Sequence, residues 1–430
     1  MIGALIQKVK SNRYLMGTVY IGAGSIFAAV FSYLLQFVFG RILSVADFGT
    51  FNALISLSYL VGVPAGVFGV SLVKYVSELS SRQDTKKLTA LYWKLLALSL
   101  LLGVGISLAI FLLRFNISEQ LKIYDTGVIA IFGILMGLAF VGSIPASYLQ
   151  GLLRYRAFAF FSVMSSAYRF VFSALAVFLG LKLAGAFGGM FVAGILSVVT
   201  AFFILRKNLT TFENISLVDD YKRLLAFSLP VMFVNFGLML LNNIDLILVK
   251  KYFEPEMAGY YAGTVTLGKI FLFGAGAVST VMFPTISSLA ARGLNYSRAF
   301  FKFLSLQLML VAGGLIVFSV FPSFLTRLFF GERFMSSVEY LPMFSLFIGL
   351  YIIINFLILF FLAVSRTSVF LLLLPGLVVQ YLLISSNHGT LYDIINADIY
   401  AGIISLVLLT AFFIKGSSGK GNNGKRANKI

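Results

Sequence analysis

Apolar residues run through this chain in long blocks, each broken by a short cluster of polar and charged positions. A helix that crosses a bilayer needs roughly 20 apolar residues at about 1.5 Å rise each. Blocks of that length predict twelve spans, near 15–40, 49–73, 92–114, 126–149, 158–181, 184–205, 224–249, 258–283, 300–322, 340–364, 367–386 and 394–414. Only GLKLAGAFGG divides the fifth from the sixth, and Pro375-Gly376 interrupts the eleventh. The expected fold is an all-α integral membrane protein of about twelve transmembrane helices.

Lysine and arginine fall mainly in alternate connections, which sets an orientation. With Lys8, Lys10 and Arg13 on the cytoplasmic side, that side also gathers Lys74, Arg82, Lys86, Lys87, Lys94, Arg154, Arg156, Arg206, Lys207, Lys222 and Arg223. Arg292, Arg298, Lys302, Arg366 and the tail from Lys415 follow on the same side. The outer connections hold Arg41, Arg114, Lys122, Lys182, Lys250, Lys251, Arg327 and Arg333. Both termini are therefore expected inside the cell membrane. Residues 416–430 read as a disordered basic tail near anionic headgroups. The first apolar run lacks a cleavage-site pattern and is expected to be a span, not a removed signal.

GRILSVADFGTFNALISL (Gly40 to Leu57) and KKYFEPEMAGYYAGTVTL (Lys250 to Leu267) share an outline. A shift of 210 places Arg41 on Lys251, Gly49 on Gly259, Phe51 on Tyr261, Ser56 on Thr266 and Ser77 on Ser287 without a gap. Six predicted spans lie between equivalent points, so both halves enter the membrane in the same direction and form parallel repeats. The expected division is an N-terminal six-helix lobe (1–210), a C-terminal six-helix lobe (211–415) and the tail. Arg41 and Asp47 then mark an external turn, with Gly49 expected to let the next helix start tightly.

Composition sharpens this picture. Apolar residues make up 60% of the 430 and charged residues 11%, with a mean hydropathy of +0.99. A bilayer accommodates that much apolar surface and a water-soluble core does not. The net charge of +18 therefore reads as the positive-inside bias of a membrane protein. The 46 phenylalanines read as lipid-facing and packing residues, and no nucleic acid partner is expected. No cysteine occurs, and His388 is the single histidine, which leaves no metal centre or catalytic triad to build. No phosphate-cradling G-x-x-x-x-G-K-[ST] loop is found, so no nucleotide cofactor is expected.

GRILSVADFGTFNALISL, LNNIDLILVKKYFEPEMAGYYAG, VMFPTISSLA and LFFGERFMSSVEYLPMFSLF together resemble the polysaccharide (O-antigen type) flippases of the multidrug/oligosaccharidyl-lipid/polysaccharide exporter superfamily. The resemblance runs over essentially the whole chain. It implies two six-helix lobes in a V around a central cavity, alternating access, and transfer of a polyprenyl-diphosphate-linked oligosaccharide to the outer leaflet. Membrane lipids, H+ or Na+, and glycan polymerase and assembly proteins are the further partners expected.

Charged side chains at mid-bilayer cost about 2.5–3.5 kcal/mol on insertion scales and face a cavity or a partner. Arg169, about eleven residues into the fifth span, and Lys269, about ten residues into the eighth, are the candidate substrate-binding cations, suited to a diphosphate. Snorkelling to the interface and an interhelical ion pair are their structural alternatives. Gln36 and Asn355 are candidates either to line the cavity or to join helices. Asp245, taken as the one acid within a span, forms an ion-coupling candidate with Asn242 and Asn235, or anchors the helix end near Lys250 and Lys251. Lys74, Arg154 and Arg156 are candidates for a phosphate-attracting inner entrance, or ordinary inner-face charges. Pro64 and the Gly274/Gly276 pair stand at corresponding places as bending points.

A cation-coupled drug exporter of the same superfamily stays open, although it calls for an acidic cluster in the N-terminal lobe. A membrane-embedded glycan polymerase calls for paired carboxylates or a large loop, and a non-transporting scaffold is a third alternative.

Overall fold

The computed structural model describes residues 13–209, 215 and 217–418. Lys8, Lys10 and the basic tail beyond Ser418 lie outside the described residues. The described chain is helical throughout. Its first part holds α1 (Arg13–Ile42), α2 (Val45–Ser81), α3 (Thr85–Leu112), the short α4 (Arg114–Gln120), α5 (Thr126–Gly151), α6 (Tyr155–Ala176) and α7 (Lys182–Leu205). Its second part holds α8 (Val218–Leu241), α9 (Ile244–Tyr252), α10 (Pro255–Ala291), α11 (Ser297–Val320), the short α12 (Pro322–Phe330), α13 (Leu341–Ala363), α14 (Leu374–Ser386) and α15 (Leu391–Ser418).

Among the described residues, ten stretches are long and apolar enough to cross a membrane, and the bent α8 makes eleven. One of the ten, Tyr155–Asn208, contains both α6 and α7. They are separated at Gly180, whose φ of 85° reverses the chain so that the two helices pack on each other. That positive φ suits glycine, which has no Cβ to clash. Counted apart, they restore the twelve expected spans. The predicted seventh span, 224–249, is not one helix: it stops at Leu241 and restarts at Ile244.

The 210-residue shift holds at the level of helix ends. It carries Val45–Ser81 onto Pro255–Ala291 at both termini, Ile42 onto Tyr252, and Ala176 onto Ser386. The end of α4, Gln120, lands on Phe330, the end of α12. The turn residues have matched roles as well. Ser44 caps α2 by accepting from the backbone N–H of Asp47 at 3.1 Å, while Glu254 precedes α10, which opens on Pro255. Arg41 lies in the last turn of α1 and Asp47 in the first turn of α2. Lys250 and Lys251 lie in the last turn of α9 and Glu256 in the first turn of α10. Each charge thus opposes the helix dipole beside it. The tight start belongs to Ser44, not to Gly49, which is buried within α2.

Contacts divide the chain into two compact units that meet after Met232, within α8. That helix bends by 42° between Ala226 and Val231. The first unit packs α3 on α5, α6 on α7 and α1 on α6. Small residues set the α3–α5 crossing: a Cβ on Gly137 would stand 2.4 Å from the carbonyl oxygen of Gly103. In lipid, where burial itself drives little, such backbone approach supplies dispersion contacts. Ser107 also donates across it to the carbonyl of Gly133 at 3.0 Å. Leu101, Val104 and Leu108 of α3 remain exposed, as lipid-facing side chains do. In the second unit α13 is the central helix, packed by α10, α11 and α15. Its Phe356 and Phe361 are buried with Phe300 of α11.

Candidate functional site

The break between α8 and α9 is the centre of a buried polar cluster. Asn243 has left the helical region, with φ −141° and ψ −15°. A broken helix leaves carbonyls without partners, and side chains supply them. Tyr351 of α13 donates to the carbonyl of Leu238 at 3.1 Å, and Gln380 of α14 to that of Leu241 at 3.1 Å. The side-chain amide of Asn243 bonds back to Met239 at 2.9 Å. Its Oδ1 accepts from Nζ of Lys269 on α10, also at 2.9 Å.

Two turns of chemistry meet here. Asp245, fully buried in the first turn of α9, accepts through Oδ2 from the hydroxyl of Tyr261 at 2.8 Å. The same hydroxyl lies 3.0 Å from Oδ2 of Asp398 on α15. Gln380 Nε2 donates to the other oxygen of Asp398 at 2.8 Å. Lys269 lies within electrostatic reach of Asp245. Among the described residues, Oδ1 of Asp245 and Oδ1 of Asn242 are buried without a hydrogen-bond partner. The cluster therefore holds two buried acids, one half-buried amine and acceptor atoms still open to a ligand.

Asp398 corrects the view of Asp245 as the one acid within a span, because it lies inside the predicted twelfth span. In the sequence Tyr261 stands out only as the repeat partner of Phe51, and Gln380 carries no local signal because a lone amide in an apolar block has no charge. Lys250, expected in an outer connection, is 1% exposed inside α9. Asn235 is half-buried on α8.

The first unit has its own polar group. Arg169 of α6 is exposed and donates from Nη2 to Oγ of Ser32 on α1 at 3.2 Å. Tyr59 of α2 lies close enough to feel its charge, and Tyr33 interacts in turn with Tyr59. Adding 210 converts Ser32, Tyr33 and Tyr59 into Asn242, Asn243 and Lys269. Three polar positions of the two groups thus coincide in register, while Arg169 falls on Val379 and has no charged counterpart.

The other candidates disperse. Gln36 donates to Oδ1 of Asn52 at 3.2 Å and joins α1 to α2. Asn355 is half-buried on α13 and takes part in neither polar group. Lys74 borders a hollow of about 330 Å³ with Tyr75, Glu78 and Arg223. Arg223 pairs with Glu78 at 3.0 Å. Nearby, Asp220 pairs with Lys87 at 2.9 Å and accepts from Tyr75. Arg154 and Arg156 do not line that hollow. Arg154 precedes α6, and the Arg156 guanidinium stands 4.9 Å above the ring of Tyr20.

The fold recurs among solved structures. One neighbour is a multidrug resistance MATE family transporter of the MOP superfamily in an inward-facing conformation. Its TM-score is 0.76 at 13% identity, covering 92% of this chain and 96% of that one. Another is the lipid II flippase MurJ in an inward closed conformation, at TM-score 0.72 and 16% identity, covering 92% and 87%. An outward-facing MATE family transporter gives 0.66 at 12% identity, covering 94% and 96%. At these identities the likeness speaks to fold alone. No curated protein matches the sequence. The model of the family described as polysaccharide biosynthesis protein matches residues 14–290. That match covers well over half of the chain, which therefore belongs to the polysaccharide biosynthesis protein family.

Proposed function

We propose that this chain moves a polyprenyl-diphosphate-linked oligosaccharide from the inner to the outer leaflet of the cell membrane by alternating access, with both termini cytoplasmic. The family match and the transporter fold support a flippase. The observation that carries the reading further is the pair of cations within spans, Arg169 bonded to Ser32 and Lys269 bonded to Asn243, each in a polar group of its own unit. A diphosphate requires charge-assisted donors, and arginine offers a planar fork where lysine offers a point charge. Gln36 and Asn355 are lesser candidates for sugar contacts, and Lys74, Arg154 and Arg156 for first attraction of the anion. Flipping breaks no covalent bond, so the chain acts as a carrier and not as an enzyme. A glycan polymerase and assembly proteins are the partners that would consume its product.

Coupling to an ion is part of the same proposal. Tyr261 carries one hydroxyl hydrogen, yet its oxygen contacts both Asp245 and Asp398. Two ionised acids and one Lys269 leave a net negative charge in the membrane, which costs energy. One H+ or Na+ would neutralise it, with the open Oδ1 atoms of Asp245 and Asn242 as further ligands. Asn235 is the outlying member of this candidate set.

The test is a reconstituted flipping assay with a lipid-diphosphate oligosaccharide in proteoliposomes. Wild type is expected to flip the lipid, and Arg169→Ala and Lys269→Ala to lose that activity while remaining folded. Transport by both variants at the wild-type rate would sink the headgroup assignment. No transport by folded wild type, together with efflux of a small organic cation, would replace the flippase with a drug exporter.

A further inference from the structure

Away from both polar groups, the second unit has a hollow of about 390 Å³ where the α10–α11 turn meets the end of α13. Gly293, at φ 68°, closes α10 in the left-handed conformation and opens the rim. The wall is aromatic. The ring of Phe300 lies 4.3 Å from that of Phe360 and 5.0 Å from that of Phe413. Arg366 stands at the mouth, half-buried, its guanidinium 5.8 Å above the ring of Phe412.

The charge around this hollow has one sign. Arg292 and Arg298 flank the turn, and Lys302 follows one helical turn later. The sequence holds no acidic residue over 257–331, 340–392 or 399–430, so every segment that lines the hollow lacks a carboxylate. Among the described residues none of these four cations has an ion-pair partner. A basic rim over an apolar wall fits an amphiphile with a negative head. Each lysine or arginine at a membrane surface attracts anionic lipid by about 1 kcal/mol. The flat phenylalanine wall offers an acyl chain dispersion contact.

We propose that this hollow binds the phosphate headgroup of an anionic phospholipid from the surrounding leaflet, with its chain on the phenylalanine wall. Arg366 is the principal anion contact, and Arg292, Arg298 and Lys302 supply the surrounding field. The site is separate from the proposed substrate path and stands whether or not that path is correct.

Native mass spectrometry of the purified full-length protein tests it, with phosphatidylglycerol titrated against phosphatidylcholine. Phosphatidylglycerol is expected to bind more tightly. Arg366→Gln should weaken it about fivefold, the effect of one surface charge, and leave phosphatidylcholine unchanged. Val364→Trp, which fills the hollow without altering charge, should also weaken phosphatidylglycerol binding. Arg327→Gln, an ion-paired exposed residue elsewhere in the unit, should not. Equal binding of both phospholipids, or wild-type affinity in Arg366→Gln, would overturn the proposal. Occupancy by a polyprenyl diphosphate that phosphatidylglycerol fails to displace would instead make the hollow a substrate entry site.

Discussion

Asp398 lies 3.0 Å from the hydroxyl of Tyr261, although 137 residues separate them in sequence. That contact ties α15 to α10 and brings a second acid to the Asp245 carboxylate. It turns a lone buried acid, which would be a cost, into a member of a hydrogen-bonded set. Helix α9 starts where it does because this set receives Asp245 and because Gln380 satisfies the end of α8.

Asp398→Asn removes one negative charge from the cluster and leaves Asp245 and Lys269 balanced. Transport by this variant is expected to lose its dependence on a proton or sodium gradient. Tyr261→Phe should weaken that dependence by about tenfold, in line with about 1.5 kcal/mol for a hydrogen bond to a charged group. Flipping rates measured with and without each gradient check both. Unaltered gradient dependence in Asp398→Asn returns the acids to a structural role.

Two ion pairs of different burial make a stability contrast. Asp220 also accepts from Tyr75, and its side chain is 10% exposed, so Asp220→Ala strands Lys87 and a buried tyrosine hydroxyl. A loss of about 1–3 kcal/mol is expected. Arg327 and Glu332 are 64% and 70% exposed, and Arg327→Ala should cost below about 1 kcal/mol. Thermal unfolding in detergent reads both, and equal shifts would contradict the ranking.

Gly137→Leu forces a side chain into the carbonyl of Gly103 and should destabilise the first unit by about 1–3 kcal/mol. A Cβ on Gly105, two residues on and so on the opposite face of the helix from Gly103, meets nothing within 4 Å, and Gly105→Leu should be close to neutral. The same melting assay separates them. A Gly105→Leu variant that melts as low as Gly137→Leu would show that propensity, not the crossing, governs both.

Ser44→Ala removes the cap of α2 and is expected to cost about 1 kcal/mol, whereas Ser44→Asp should retain most of it. Hydrogen exchange at Asp47, whose N–H the serine oxygen accepts, should rise in the alanine variant alone. Protection unchanged in Ser44→Ala would place the stability of this turn elsewhere.

The order of spans, their approximate limits and the repeat were legible in the residues themselves. A crossing helix must bury its backbone polar groups internally and therefore announces itself as one long apolar block. The repeat was legible because Arg41, Asp47 and their counterparts near Lys251 answer to local helix ends, which sequence neighbours alone define. Arg169 and Lys269 were conspicuous for the same reason: a charge in an apolar block stands out without any knowledge of its surroundings. What α8 does at Asn242–Asn243 was not legible. The apolar pattern runs straight through that break, and the carbonyls it frees are satisfied by Tyr351 and Gln380 from distant helices. Nor did any local signal join Asp245 to Asp398. Hydropathy counts what each helix contains, while only packing of α10, α14 and α15 decides which buried polar groups face one another. Span and register follow from the cost of exposing backbone to lipid, and the site follows from the partners that tertiary packing supplies.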